Sequence, residues 1–227
     1  MGQYVVLGEG DRDKAFLERL CQQRQITGLT FGYVGGNGGF KDQLTAMIAA
    51  PGFAQCQSIL LMSDNDESAT DSFKLINDQM KECGFPVPPR PLEMAIKQGR
   101  PSLAVLMQPH PIQGADSRGC LETLLIPAMD AANPNQANCV DRMLNCAGVS
   151  AWQKKGSQHK AKVRSLISAV YEADPMHGLQ YCFDPQKGLI ALTDPIFNET
   201  ALVLQHFAAW SASGIRPWAD FRQDRGI

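Results

Sequence analysis

The sequence predicts an α/β protein, a parallel sheet flanked by helices and followed by a mostly helical C-terminal part. Three observations carry this expectation. Between residues 4 and 83, short β-rich runs alternate three times with amphipathic helical stretches, the order that parallel strands joined by crossover helices require. From Gly119 onward helical spacing dominates. Acids follow the first and third of the predicted strands, and ligands of open parallel sheets bind beyond such strand ends.

The elements follow in chain order. Tyr4-Val5-Val6-Leu7, closed by Gly8, reads as a buried parallel strand. A helix is expected over residues 12–24, with Asp11 as N-cap and Phe16, Leu17, Leu20 and Cys21 on one apolar face. Residues 29–34 form the second strand, ending in Gly35-Gly36-Asn37-Gly38-Gly39, which is either a phosphate-binding nest or a turn. Residues 41–50 form the second helix, stopped by Pro51-Gly52. Ser58-Ile59-Leu60-Leu61-Met62 is the third strand, and residues 68–83 the third helix, with Phe73, Ile76 and Met80 at helical spacing. Pro86 to Pro91 is a stiff linker. Residues 92–96 and 103–107, separated by Gly99-Arg100-Pro101, predict a hairpin or two strands near a sheet edge. Helices are then expected over residues 120–126, 136–146, 159–171 and 196–211. The organisation is a core over residues 1–115 and a helical extension over 116–227 that packs on it as one unit.

Composition narrows the classes. No run approaches the ~18 apolar residues of a membrane helix, so no membrane partner is expected. The seven cysteines form no C-x-x-C pair and sit mostly among apolar neighbours. They suit reduced thiols of a cytoplasmic protein and argue against a zinc site or disulfide framework. The formal charge of −2 supplies no global attraction for a polyanion. A nucleic-acid partner would need a local basic patch or a bound metal.

Two strand ends carry the candidate chemistry. In Gly8-Glu9-Gly10-Asp11-Arg12-Asp13, the glycines allow a tight turn from which Glu9 projects above the sheet, and Asp13 falls in the first helical turn. In Asp64-Asn65-Asp66, alternate residues of an extended segment share a side, so both aspartates can face one point. Converging carboxylates repel unless a cation lies between them, and hard oxygen donors select Mg²⁺ or Mn²⁺. Any one of these acids also suits a helix N-cap. Two rival sites share part of the pattern. A dinucleotide fingerprint begins at Gly8-x-Gly10 but meets Asp13 where its third glycine belongs. A phospho-receiver also places acids after its first and third strands, in a chain shorter than this one.

Val6-Leu7-Gly8-Glu9-Gly10-Asp11-x-Asp13-x-x-Phe16, with Ile59-Leu60-Leu61-Met62-Ser63-Asp64-Asn65-Asp66, resembles the TOPRIM domain of topoisomerases, bacterial primases and OLD-family nucleases. Gly119-Cys120-Leu121-Glu122-Thr123-Leu124-Leu125 and His159-Lys160-Ala161-Lys162-Val163 are similar to segments of stand-alone TOPRIM-like proteins related to those nucleases. The four stretches span residues 6 to 163. The resemblance implies a TOPRIM-like Rossmannoid sheet, general acid/base or metal chemistry at Glu9, Mg²⁺ held by Asp64 and Asp66, and an extra metal-binding acid at Asp13. No ATPase domain like that of OLD nucleases is evident in the sequence.

Glu122 has two readings, a further ligand or an acid complementing a helix dipole. Lys154, Lys155, Lys160, Lys162 and Arg164 form a dense basic stretch, either a grip for a phosphate backbone, with Lys160 at the scissile phosphate, or a solvated helix face. His159 is a proton shuttle or a surface histidine. The expected function is therefore Mg²⁺- or Mn²⁺-dependent hydrolysis of DNA or RNA, with Glu9 also activating water. A non-catalytic TOPRIM-like binding module and a nucleotidyl transferase are the alternatives, and a homodimer is open.

Overall fold

The computed structural model of the protein describes residues 3–110, 118–172, 178–184, 186 and 189–209. Four strands form one fully parallel sheet in the order β2-β1-β3-β4: β1 (Tyr4–Gly8), β2 (Leu29–Tyr33), β3 (Ser58–Asp64) and β4 (Ser102–Gln108). The crossovers run through α1 (Asp11–Gln23), α2 (Phe40–Ala49) and α3 (Ala69–Glu82). The C-terminal part supplies α4 (Leu121–Ala132), α5 (Pro134–Cys146), α6 (Lys155–Val170) and α7 (Asn198–Ala208). This is the α/β class that the alternating pattern predicts.

Strand periodicity sorts the core into two layers. Val6, Leu60, Met62, Ala104 and Leu106 point to one face, where they pack with Phe16 and Leu20 of α1 and with apolar residues of α4 to α7. Val5, Leu7, Ile59, Leu61, Leu103, Val105 and Met107 point to the other, against Phe40 and Leu44 of α2 and Ile76 and Met80 of α3. All seven residues of β3 are buried, as a central strand covered on both faces demands. Apolar residues before 115 and after 116 thus share one cluster, while residues 111–117, where the sequence division falls, lie outside the described set. No helix among the described residues is long and apolar enough to cross a membrane.

Residues 92–96, α4, α6 and α7 depart from expectation. Residues 92–96 do not form a strand. Leu92 has a left-handed φ of 64°, which ends extended pairing, and one antiparallel bridge joins Ala95 to Leu103. The Leu92 N–H to Val105 carbonyl bond and the Ala95–Leu103 pair still cover the outer edge of β4, which would otherwise be an open template for pairing. Next, α4 continues through Pro127 to Ala132. Ala128 and Met129 are buried in the core, and that apolar gain offsets the lost proline hydrogen bond. Finally, α6 begins at Lys155 rather than 159, and α7 spans Asn198–Ala208. Residues 210 and 211 of the last expected helix lie outside the described set.

Candidate active site

Glycine lets the chain turn tightly where β1 meets α1. A Cβ on Gly8 would lie 2.7 Å from the Asp13 Cβ, so only a bare backbone admits the first turn of α1 this close to the strand end. Glu9 leaves β1 at that turn and meets the end of β3. Its Oε2 accepts a hydrogen bond from the Ser63 hydroxyl at 2.7 Å and one from the Asp64 backbone N–H at 3.2 Å. Acids from two strands, 55 residues apart in sequence, therefore stand at one place.

Asp64 and Asp13 complete the inner wall. Asp64 is 9% exposed, and its Oδ1 accepts from the Leu121 N–H at 3.0 Å, at the positive end of α4. Asp13 is 8% exposed and accepts from the Gly10 N–H at 2.7 Å. Burial pushes the Asp13 carboxyl up to about 7, against the Gly10 hydrogen bond, with Glu9 and Glu122 adding repulsion. Burial also pushes Asp64 well above the ordinary carboxylate range, and Asp13 and Glu9 raise it further. Glu122, 5% exposed in the first turn of α4, has its Oε1 3.8 Å from the Arg12 guanidinium.

Lys160 of α6 closes the cleft. Burial alone would lower its amine, but Cys120, Glu122, Asp64 and Asp66 around it hold it above its ordinary value. Glu9, Asp13, Asp64, Glu122, Arg12 and Lys160 line a cleft of about 240 Å³ beyond the carboxyl ends of β1 and β3. A second cleft of about 450 Å³ lies on the other side of Lys160, lined by Asp66, Glu67, Ser68, Asp71, Lys154 and Ser157 among others.

Asp66 is the residue whose placement differs from the sequence reading. It lies beyond β3 with a left-handed φ of 48°. Its backbone N–H and carbonyl exchange hydrogen bonds of 2.8 and 2.7 Å with Gly119. The segment is no longer extended there, so the alternation that would align Asp64 with Asp66 fails, and Asp66 opens onto the second cleft. Consistently, no three His, Cys, Asp or Glu side chains among the described residues are spaced to hold a metal ion as they stand.

The basic stretch divides as well. Positions 160 and 162 lie about 200° apart on a helix. Lys162 turns away to Asp130 of α4 and Asp141 of α5, 2.8 Å from a carboxylate oxygen of each, and ties three helices together. Lys154, at the start of α6, lines the second cleft. Lys155 is half-buried in the first turn, and Arg164 is exposed.

A family model covering residues 3–210 matches the chain, under the description "Protein of unknown function (DUF3226)". The chain belongs to this family. No curated protein and no solved structure matches it.

In this DUF3226 member, three further residues shape the site without a signal in the sequence. Ser63 holds the Glu9 carboxylate, and Arg12 faces Glu122. Thr123 Oγ1 accepts the Cys120 N–H at 3.0 Å and lies 2.6 Å from His159 Nδ1, joining the start of α4 to α6 one residue before Lys160. The Ser63–Glu9, Arg12–Glu122 and Thr123–His159 contacts span elements that only the tertiary fold brings together. The Cys120 thiol is fully buried, and burial pushes it up, with Glu122 and Asp64 nearby raising it further.

Proposed function

We propose that this protein is a Mg²⁺- or Mn²⁺-dependent hydrolase of nucleic-acid phosphodiester bonds, with the cleft between β1 and β3 as its active site. One observation carries the reading. Besides the exposed Asp11 at its rim, four carboxylates drawn from the turn after β1, α1, β3 and α4 converge in a single cleft beside one lysine. Burying that much like charge is costly without a compensating cation.

The donor set fits a divalent ion in chemistry. All four are hard oxygen ligands, which favour Mg²⁺ or Mn²⁺. Glu9 and Asp64 would hold the first ion, with Asp13 and Glu122 beside them, and the side chains must draw closer than they stand now. Asp66 faces Lys160 from the neighbouring cleft and is not assigned to that ion. When bound, such an ion neutralises phosphate charge and makes water more acidic.

The chain's own groups supply the remaining roles. The Lys160 ammonium, shared by both clefts, contacts a non-bridging phosphate oxygen and stabilises charge developing there. Glu9 accepts the proton of the attacking water at the oxygen not engaged by Ser63 and Asp64. Arg12 balances Glu122 at the rim. The test is cleavage of plasmid DNA and of RNA with Mg²⁺ or Mn²⁺. Glu9→Gln, Asp64→Asn and Lys160→Ala are expected to lose 10²-fold or more. Wild-type rates in Glu9→Gln and Asp64→Asn would remove those residues from the mechanism.

In a second reading, a non-catalytic binding module of the same shape, the same acids and Lys160 serve binding alone. It predicts calorimetric binding of Mn²⁺ with no cleavage of either nucleic acid.

A further inference from the structure

A separate cavity of about 660 Å³ lies at the opposite end of the sheet, where the chain enters β3 and β4. Ile48, Phe53, Cys56 and Pro101 are among its walls, and Arg100 is the one charged residue in its lining. The seven residues of β3 separate it from the acid cleft by roughly 20 Å at ~3.3 Å per residue. Its volume lies within the range of small-molecule pockets, about 300–1,000 Å³.

We propose that this cavity binds a small organic anion, a carboxylate or phosphate carried on an apolar or aromatic body. Arg100 is the reason. Its guanidinium carbon sits 5.5 Å from the centroid of the Phe85 ring, and Phe85 is 3% exposed in the core, so the ring fixes the cation in place. No carboxylate of the described residues pairs with it. Arg24, by contrast, spends its donors on the carbonyls of Leu192 and Asp194. A guanidinium presents five N–H donors in a planar fork that matches carboxylate and phosphate oxygens. Phe85 meets the cation through its ring and accepts none of those N–H bonds, which leaves the donors for a ligand.

The rest of the cavity suits the ligand's body. Phe53 meets Phe85 edge-on with ring centroids 6.4 Å apart, and Phe53 and Ile48 are only partly buried against the core. Both therefore present apolar surface to the cavity. The Cys56 thiol is buried, and burial pushes it up to about 11, so this wall is neutral. An acid in the lining would repel an anion, and there is none. The acid cleft has the reverse composition, so the two sites differ in ligand as well as place. The inference is independent of the hydrolase reading.

Titrating phenyl phosphate, and separately benzoate, into the isotope-labelled full chain tests it by amide NMR. Saturable shifts at Gly52, Phe53 and Gly99 with at least one probe are expected, and the stronger probe tells phosphate from carboxylate. Arg100→Gln should weaken binding at least tenfold, Phe53→Ser should weaken it without touching the cation, and Asp64→Asn should leave it unchanged. Absence of saturable shifts with both probes in the wild-type protein, or equal binding by Arg100→Gln, would overturn the proposal. Inorganic phosphate binding as tightly as phenyl phosphate would overturn it too, because the apolar walls would then contribute nothing.

Discussion

Replacing Asp13 with asparagine should stabilise the metal-free protein above neutral pH, although it removes a charged group from the candidate site. Asp13 is 8% exposed, and burial with the repulsion of Glu9 and Glu122 lifts its carboxyl from 3.8 to about 7. Below 3.8 the folded and unfolded chains are both protonated and the shift has no effect. As pH rises from there, the unfolded chain releases its proton first and folding stability falls. Above about 7 both states are ionised and the full deficit persists. That gap corresponds to an upper bound of about 4 kcal/mol. Part of it belongs to neighbouring acids, so the expected gain from the substitution at pH 8.5 is about 2–3 kcal/mol. Asparagine keeps an oxygen for the Gly10 N–H, which preserves the turn. Urea denaturation of wild type and Asp13→Asn at pH 5 and pH 8.5, without divalent ions, measures the difference. The variant should gain at pH 8.5 and by less than half as much at pH 5. Added Mn²⁺ should narrow the gap at high pH, since a cation at 100 times its dissociation constant contributes about 2.7 kcal/mol to the wild type. A variant equally or less stable at pH 8.5 would refute the view that Asp13 is a carboxylate whose burial disfavours its charged form.

Three further outcomes follow from the geometry. Lys162→Met should cost about 1 kcal/mol in thermal or urea unfolding, because its aspartate partners are 33% and 49% exposed and solvent screens them. Nucleic-acid cleavage by that variant should match wild type, whereas a large loss would place Lys162 in the phosphate grip. Gly119→Ala should destabilise by about 3 kcal/mol or more or abolish soluble expression, since φ is 130° and a Cβ would lie 2.1 Å from Thr123 Oγ1; normal stability would contradict the tight bridge to Asp66. Thr123→Val keeps the side-chain shape but removes the hydroxyl between Cys120 and His159, and unfolding should register a loss of about 1–3 kcal/mol.

Much of this architecture is legible along the chain because it rests on local signals. Acids after two apolar runs, with glycine as well after the first, mark strand ends, and helical spacing marks α1 to α3. Glu9 and Asp64 meet because β1 lies beside β3 in the parallel sheet, and the general rule that ligands bind beyond the carboxyl ends of such strands points to that contact. What the sequence hides depends on distant partners. Asp66 turns aside because Gly119, far along the chain, captures both its backbone groups. Leu92 adopts a left-handed turn against β4, and α4 passes through Pro127 because the core rewards burial of Ala128 and Met129. The lysines of α6 look like one patch in a linear reading, yet helical geometry sends Lys160 and Lys162 to opposite sides. Arg100 gives no linear hint at all, since its meaning comes from Phe85 beneath it and from the acids it lacks.

The most direct measurement is a crystal structure grown or soaked with Mn²⁺, with the ion located from its anomalous signal. A peak in the cleft between Glu9 and Asp64, with oxygens of both at roughly 2.0–2.3 Å, is the predicted result. An ion bound only in the neighbouring cleft at Asp66, or none at all under conditions that saturate other divalent sites, would contradict the assignment.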